Sequence, residues 1–266
     1  MKRRVHPVVG VAAIVTLVLL YAPLLAVAVL SVNSARYGSV WKGFTLKWYR
    51  QLLANEDVLA AGENTLILAV ASTAIATVLG TLLALGLARA PWPKWARRLL
   101  DFMVYLPLVT PDILFAGALV VAFALLRALS GAFQPGLLTM IIGHVTFQIA
   151  FVALVVGSRL ASLGRQLDEA ARDLYATPFY LFRRVTLPLL APGIVAGAML
   201  AFTLSLDDFV ISFFTASPDS TTLPIYIYSS LRRGVSPELY ALSTLIVLVT
   251  VVLVLSLEAL TRYRKE

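Results

Sequence analysis

Apolar residues in this chain fall into long uninterrupted runs rather than into alternation with polar ones. A helix needs roughly 20 apolar residues to cross about 30 Å of hydrocarbon. Six stretches reach that length, at about 8–30, 66–88, 102–126, 137–158, 189–211 and 239–260. The first contains no charge and no small-residue cleavage site follows it, so it reads as a retained helix rather than a removed leader. Period-two alternation, the mark of a membrane barrel, is absent. Inside hydrocarbon every backbone N–H and C=O needs a partner within its own segment, which a helix provides. The pattern predicts an all-α membrane protein, with one transmembrane domain over 1–266 built from six helices.

The runs differ in detail. Small residues dot the second (Ala71, Ser72, Ala74, Ala76, Gly80, Ala84, Gly86) and the fifth (Ala191, Gly193, Ala196, Gly197, Ala198). Such faces let helix backbones approach closely. The third is interrupted by Pro107, Pro111 and Asp112. Both prolines remove a backbone donor, which predicts a kinked or unwound helix. No convincing internal repeat is present, so the inverted-repeat layout of many secondary transporters has no support.

Between the fourth and fifth runs, residues 159–188 do not read as a plain loop. Leu160, Leu163, Leu167, Ala170 or Ala171, and Leu174 recur at helical spacing, with Arg165, Asp168, Glu169, Arg172 and Asp173 between them. Thr177 before Pro178 has the form of a cap followed by proline at the first helical position. Phe179, Phe182 and Val185 follow three apart, and Pro188 is expected to stop the run. This predicts two short helices around a bend, presenting apolar side chains outside the membrane. Two surfaces would cover them: the lipid interface or a groove in a cytoplasmic partner. The mixing of acids and bases favours docking, because helices on lipid surfaces tend to be purely basic.

Composition fits the runs. Hydrophobic residues make up 60% and charged residues 14%, with a mean hydropathy of +0.88. A soluble domain carries about 25% charged residues, so a compact soluble enzyme and a disordered chain are both excluded. There is no cysteine, and His6 and His144 are too few for a zinc site, so no metal site is expected. The net charge of +8 is unevenly spread. Fifteen basic residues lie at the N-terminus, in 89–98, in 159–184 and at the C-terminus, against seven on the opposite side (Arg36, Lys42, Lys47, Arg50, Arg127, Arg232, Arg233). The positive-inside bias therefore places both termini in the cytoplasm, and nucleic acid is not needed to explain the charge.

A charge at the centre of a membrane helix costs roughly 2.5–3.5 kcal/mol on insertion scales, so each acid needs a reason. Asp112 has two readings: a cation-attracting wall beside a broken helix, or a cap on the segment after the break. Asp207 and Asp208 fall near the outer end of the fifth run. An acidic pair there suits a polycation; the plainer reading is an interfacial pair beside Arg232 or Arg233. Tyr226, Tyr228 and Phe213 either hold organic ammonium groups or belong to the interfacial aromatic belt, and the same choice applies to Trp41, Trp48 and Tyr49. His144, Thr146 and Gln148 read as interhelical hydrogen-bonders. Asp101 and Glu258 are expected near headgroups or basic loops, without a function. No G-x-x-x-x-G-K-[ST] phosphate cradle occurs, so nucleotide energy would have to arrive through a separate subunit and no catalytic residue is assigned.

Glu169-Ala170-Ala171 followed by Phe182-Arg183-Arg184-Val185-Thr186-Leu187-Pro188 resembles the EAA loop of type I ABC importer permeases. The resemblance implies that fold, with Glu169, Ala170, Ala171, Tyr175, Phe182 and Pro188 in a cytoplasmic loop that couples to an ATP-binding subunit. One position departs from the pattern: the family usually has glycine where this chain has Tyr175. Either the bend is made without positive φ or the coupling geometry is altered. Thr110-Pro111-Asp112-Ile113, Thr203-Leu204-Ser205-Leu206-Asp207-Asp208-Phe209-Val210, Leu223-Pro224-Ile225-Tyr226-Ile227-Tyr228-Ser229 and Arg233-Gly234-Val235-Ser236-Pro237-Glu238 are similar to the spermidine/putrescine branch, specifically its second permease subunit. What this implies is half of a heterodimeric pore in the bacterial inner membrane. A second permease, a cytoplasmic ATPase dimer carrying ATP and Mg, and an external solute-binding protein would complete it, and the chain itself would hold no cofactor. The substrate path would then include Asp112, Asp207, Asp208, Tyr226 and Tyr228. The rival readings are a permease for iron, sulfate or thiamine, and an ion-coupled secondary carrier working alone. A mere scaffold has no need of a mid-membrane proline and acid.

Overall fold

The computed structural model describes residues 7–36, 40–164, 169–170, 173 and 175–263. Ala171 and the predicted helix positions Arg165, Leu167, Asp168, Arg172 and Leu174 lie outside the described residues. Among those described there is no strand, only one isolated bridge between Asn33 and Phe44. The helices are α1 (Pro7–Ser31), α2 (Lys47–Leu53), α3 (Glu56–Arg89), α4 (Lys94–Val109), α5 (Asp112–Arg127), α6 (Leu137–Leu163), α7 (Pro178–Tyr180), α8 (Leu187–Leu206), α9 (Val210–Thr215), α10 (Leu223–Arg233) and α11 (Pro237–Tyr263). A π-helical turn, Leu181–Thr186, joins α7 to α8. Among the described residues four helical stretches are long and apolar enough to span a membrane: Val8–Ser31, Glu56–Arg89, Leu137–Leu163 and Pro178–Leu206. The bent pair α4–α5 makes a fifth. α11 covers the sixth apolar run, and Pro237–Val252 is the part of it whose side chains are described.

The chain divides into two compact units, one of residues 1–59 and 226–266 and one of residues 60–225. In the terminal unit, α11 packs against α1 and α2. The segment after α1 is knitted around Asn33, only 2% exposed. Its amide donates to the Val40 carbonyl (2.9 Å), and its side-chain oxygen accepts from the backbone of Ala35 (3.2 Å) and Lys42 (3.0 Å). The Trp48 indole donates to the Asn33 carbonyl at 2.7 Å and is buried. Trp48 therefore belongs to this packed segment and neither reading of it as a belt or ligand aromatic holds, whereas Trp41 is exposed.

In the central unit α6 lies against α8. Lipid tails are as apolar as leucine, so helix association here depends on close packing and hydrogen bonds. The small residues supply the closeness. A Cβ on Gly80 would stand 2.7 Å from Val152 Cβ and 2.9 Å from the Ile149 carbonyl oxygen, and one on Gly193 would stand 2.6 Å from Arg159 Cβ. Gly197 has 3.3 Å to Val152 Cγ1, while Gly86 faces open space. Ala84, Val152, Val156, Leu190 and Ala201 close the core between these contacts.

Two of the predicted punctuation marks act differently in the structure. Pro107 sits inside α4 without ending it; the break falls at Thr110 and Pro111, both extended (ψ 127° and 134°). A residue before proline is pushed out of the helical region, so the residue preceding Pro111 unwinds. Pro107 keeps helical neighbours on both sides. Pro188 does not stop its run either. It is the second residue of α8, directly after the π-helical turn, and the helical path continues from Pro178 to Leu206.

Candidate functional site

The polar groups of the central unit gather at two helix breaks and one loop. At the first break α4 and α5 are bent by 113°. The Thr110 hydroxyl turns back to donate to the Leu106 carbonyl at 2.7 Å, and the Pro111 carbonyl accepts from Leu114 N (2.9 Å) and Phe115 N (3.1 Å), which starts α5. Asp112 is exposed and is the first residue of α5, with Pro111 at the cap position. Its carboxylate therefore does not cap the helix in the strict sense; it sits in the first turn, where a negative charge suits the helix dipole.

The second break separates α8 from α9 at residues 207–209, so the fifth run is not one helix through Ile211. Asp207 and Asp208 do not share a helical face. Asp207 is exposed, whereas the Asp208 side chain is 14% exposed. The Asp208 carboxylate accepts from Ile211 N at 3.3 Å and Ser212 N at 2.8 Å, the first donors of α9, and lies 3.2 Å from His144 Nε2. The His144 ring, 2% exposed, also meets Ser205 Oγ through Nδ1 (2.8 Å) and Ser212 Oγ through Nε2 (3.0 Å). One turn along α6, Gln148 donates to the Ala201 carbonyl (3.1 Å) and to Ser72 Oγ (3.3 Å), and Ser72 is 3.2 Å from Ser205 Oγ. His144 and Gln148 thus bond between helices as expected. Thr146 does not: it is exposed and donates to Ile142 of its own helix. Ser72, Ser205 and Ser212 are partners that sequence reasoning missed. Only the i, i+4 spacing of His144 and Gln148 pointed to a polar face.

The loop is the third place. α6 ends at Gly164, which has φ +67°. Glu169 and Ala170 are exposed. Tyr175 has φ 58° and is 95% exposed, so the bend is made with positive φ by a non-glycine residue. The Thr177 hydroxyl accepts from Tyr180 N at 3.3 Å with Pro178 at the first helical position. Phe179 and Tyr180 are exposed, Phe182 is half-buried and Pro188 is exposed. Arg89, at the end of α3, donates to the buried Thr186 hydroxyl at 3.0 Å. Beside it is a cavity of ≈ 850 Å³ whose wall includes Arg89, Arg97, Asp101, Tyr105 and Glu169. Asp101 is paired with Arg97 at 3.1 Å.

Tyr226 and Tyr228 belong to the terminal unit. The Tyr226 hydroxyl accepts from Asn55 at 3.4 Å. Arg232 lies over the Tyr228 ring, 5.8 Å from its centre, and Arg233 donates to Ser230 at 3.0 Å. Among the described residues no group of acids and histidines is arranged to hold a metal ion.

Residues 76–264 match the family of the binding-protein-dependent transport system inner membrane component, and the chain belongs to that family. It is 42% identical over 228 residues to the putrescine transport system permease protein PotI of Escherichia coli strain K12, covering 85% of this chain and 81% of that protein. With the spermidine/putrescine transport system permease protein PotC of the same strain the identity is 38% over 243 residues, covering 91% and 89%. A crystal structure of a bacterial alginate ABC transporter, in complex with an alginate pentasaccharide-bound periplasmic protein, superposes with a TM-score of 0.76 at 21% identity, covering 97% of this chain and 93% of that one. The fold is that of ABC importer permeases. The same fold in a transporter of an acidic polysaccharide means that architecture does not choose the charge of the solute.

Proposed function

We propose that the chain is one permease half of an ATP-driven importer for a polyamine of the putrescine/spermidine class. The single observation that carries the solute class is the 42% and 38% identity to permeases of putrescine and spermidine/putrescine systems. The exposed carboxylates Asp112 and Asp207, each at a helix break, support the reading, because an acidic wall replaces part of the hydration of an ammonium group. Asp208 contributes to the shape of that wall, and Tyr226 and Tyr228 are the aromatics of the path, the Tyr228 ring already facing the Arg232 cation.

The pore is completed by a second permease, and a soluble binding protein delivers solute from outside. An ATPase dimer, holding ATP and Mg, grips residues 159–188 from the cytoplasm, where both termini also lie. Glu169, Ala170, Ala171, Tyr175, Phe182 and Pro188 transmit its closure. The Arg89–Thr186 contact supports this, since it ties α3 to the loop.

The test is uptake of labelled putrescine and spermidine into vesicles that hold the full complex. Asp112→Asn and Asp207→Asn should each weaken uptake, and unchanged uptake in both would reject the acidic path. Replacing residues 159–188 by a flexible linker should abolish ATP-dependent uptake; transport that survives would favour an ion-coupled carrier acting alone.

A further inference from the structure

A helix that stops and restarts must have its two pieces held together by something. On either side of the second break the main chain is close to helical: Asp207 has φ −99°, ψ −3° and Phe209 φ −104°, ψ −39°. No proline or glycine occupies 203–210, so the backbone carries no chemical reason to stop there. The side chains do. Asp208 takes the first donors of α9, which otherwise have no intrahelical acceptor. His144, on a third helix, then reaches both sides of the gap with one ring: Ser205 in the last turn of α8, and Asp208 and Ser212 at the start of α9. Gln148 repeats the attachment one turn away at Ala201 and Ser72. A side chain that is 2% exposed and bonded at both nitrogens has one orientation.

This arrangement gives the adjacent acids opposite fates. Asp208 has its oxygens committed to two backbone donors and an imidazole, whereas Asp207 stays exposed. We propose that His144 is a positioning residue for transport: it straps the α8–α9 break so that Asp207 is the carboxylate offered to a cationic solute while Asp208 is held inside. The inference rests on the polyamine reading and adds a division of labour between the two acids.

Two measurements on the complete complex in proteoliposomes test it. The first is the KM and kcat of putrescine uptake in Asp207→Asn, His144→Ala and the double variant. Losing a charge-assisted contact is worth roughly a tenfold rise in KM, expected in D207N and in H144A, with kcat changed much less. The double variant should be no worse than D207N alone, because His144 acts through Asp207. The second readout does not depend on transport. The chain has no cysteine, so D207C places a single thiol at the break. Its reaction with a water-soluble cationic thiosulfonate should be fast with His144 present and several-fold slower in D207C/H144Q, roughly the contrast between an exposed and a buried thiol.

D207N with unchanged KM rejects Asp207 as a solute contact and with it the division of labour, whatever the thiol does; the acidic path itself falls only if D112N is unchanged as well. D207N with raised KM, joined to normal KM in H144A or unaltered thiol reactivity in H144Q, overturns the strap alone. An H144A complex that assembles poorly is judged by H144Q and the thiol reaction, where unaltered reactivity again overturns the strap.

Discussion

The two helix breaks of the central unit are made in opposite ways. Between α4 and α5 the cause is covalent: Pro111 supplies no N–H and forces Thr110 into an extended conformation, and the chain turns by 113°. Asp112 is then left exposed at the start of α5. Between α8 and α9 no proline or glycine intervenes, and the turn is fastened by a histidine from α6 and an acid of the break itself. The first break has a cause in the backbone itself; the second is held by contacts with α6. The break with a cause in the backbone leaves its acid exposed, and the one held by side chains buries one of its two acids.

The largest effect is expected from Pro111→Ala. Restoring the donor removes a penalty of about 3 kcal/mol against a continuous helix. Spin labels at residues 98 and 125 should move apart in the reconstituted complex, and uptake should fall with them. An unchanged separation would mean that packing of α5 against α9 sets the angle, and the contrast between the breaks would vanish. Next is His144→Ala, which leaves the buried side of Asp208 without its partner. A loss of about 3 kcal/mol is expected because Asp208, Ser205 and Ser212 all lose a buried hydrogen-bond partner, read as a lower thermal midpoint in detergent. A midpoint equal to that of the parent would place the strap elsewhere.

Asp208→Asn should cost less, about 1–2 kcal/mol, because the amide oxygen still accepts from Ser212 N while only the longer contact from Ile211 N loses its acceptor. A loss as large as that in H144A would show that the charge, rather than the acceptor, fastens α9. The smallest effect belongs to Asp112→Asn. An exposed position away from special features changes stability by less than about 0.5 kcal/mol, so its thermal midpoint should match that of the parent while uptake weakens. Destabilisation in D112N would reveal structural contacts and make the two breaks alike. At the loop, Tyr175→Gly relieves a left-handed residue worth roughly 1–2 kcal/mol, partly offset by the freedom glycine gains in the unfolded chain. A gain of a few tenths to 1 kcal/mol is expected, and lower stability would assign the Tyr175 ring a contact of its own.

Much of this was legible in the chain. Long apolar runs announce membrane helices, because hydrocarbon leaves the backbone no other partner. The glycines at 80 and 193 were readable as points of close approach, and Thr177 with Pro178 as a helix start. The reading of the punctuation was less complete. Pro107 and Pro188 have the same ring as Pro111, yet neither ends its helix, so a proline in the sequence does not by itself place a helix end. Tyr175 at φ 58° was not readable either, since a tyrosine gives no local reason to enter the left-handed region.

By itself, then, the order of residues determined the helical class, through hydrophobic length, the permease family, through the motif resemblance at 169–188, and the place of the first break, through the covalent chemistry of Pro111. Only the tertiary structure decided which of two neighbouring acids is buried, and that one imidazole holds both sides of a break. Those contacts join residues 61 and 68 positions apart, and Ser72 meets Ser205 across 133 positions. Such pairings have no periodic signature; they arise when glycine-lined helices pack closely enough for short polar side chains to reach one another in a medium that offers them no water.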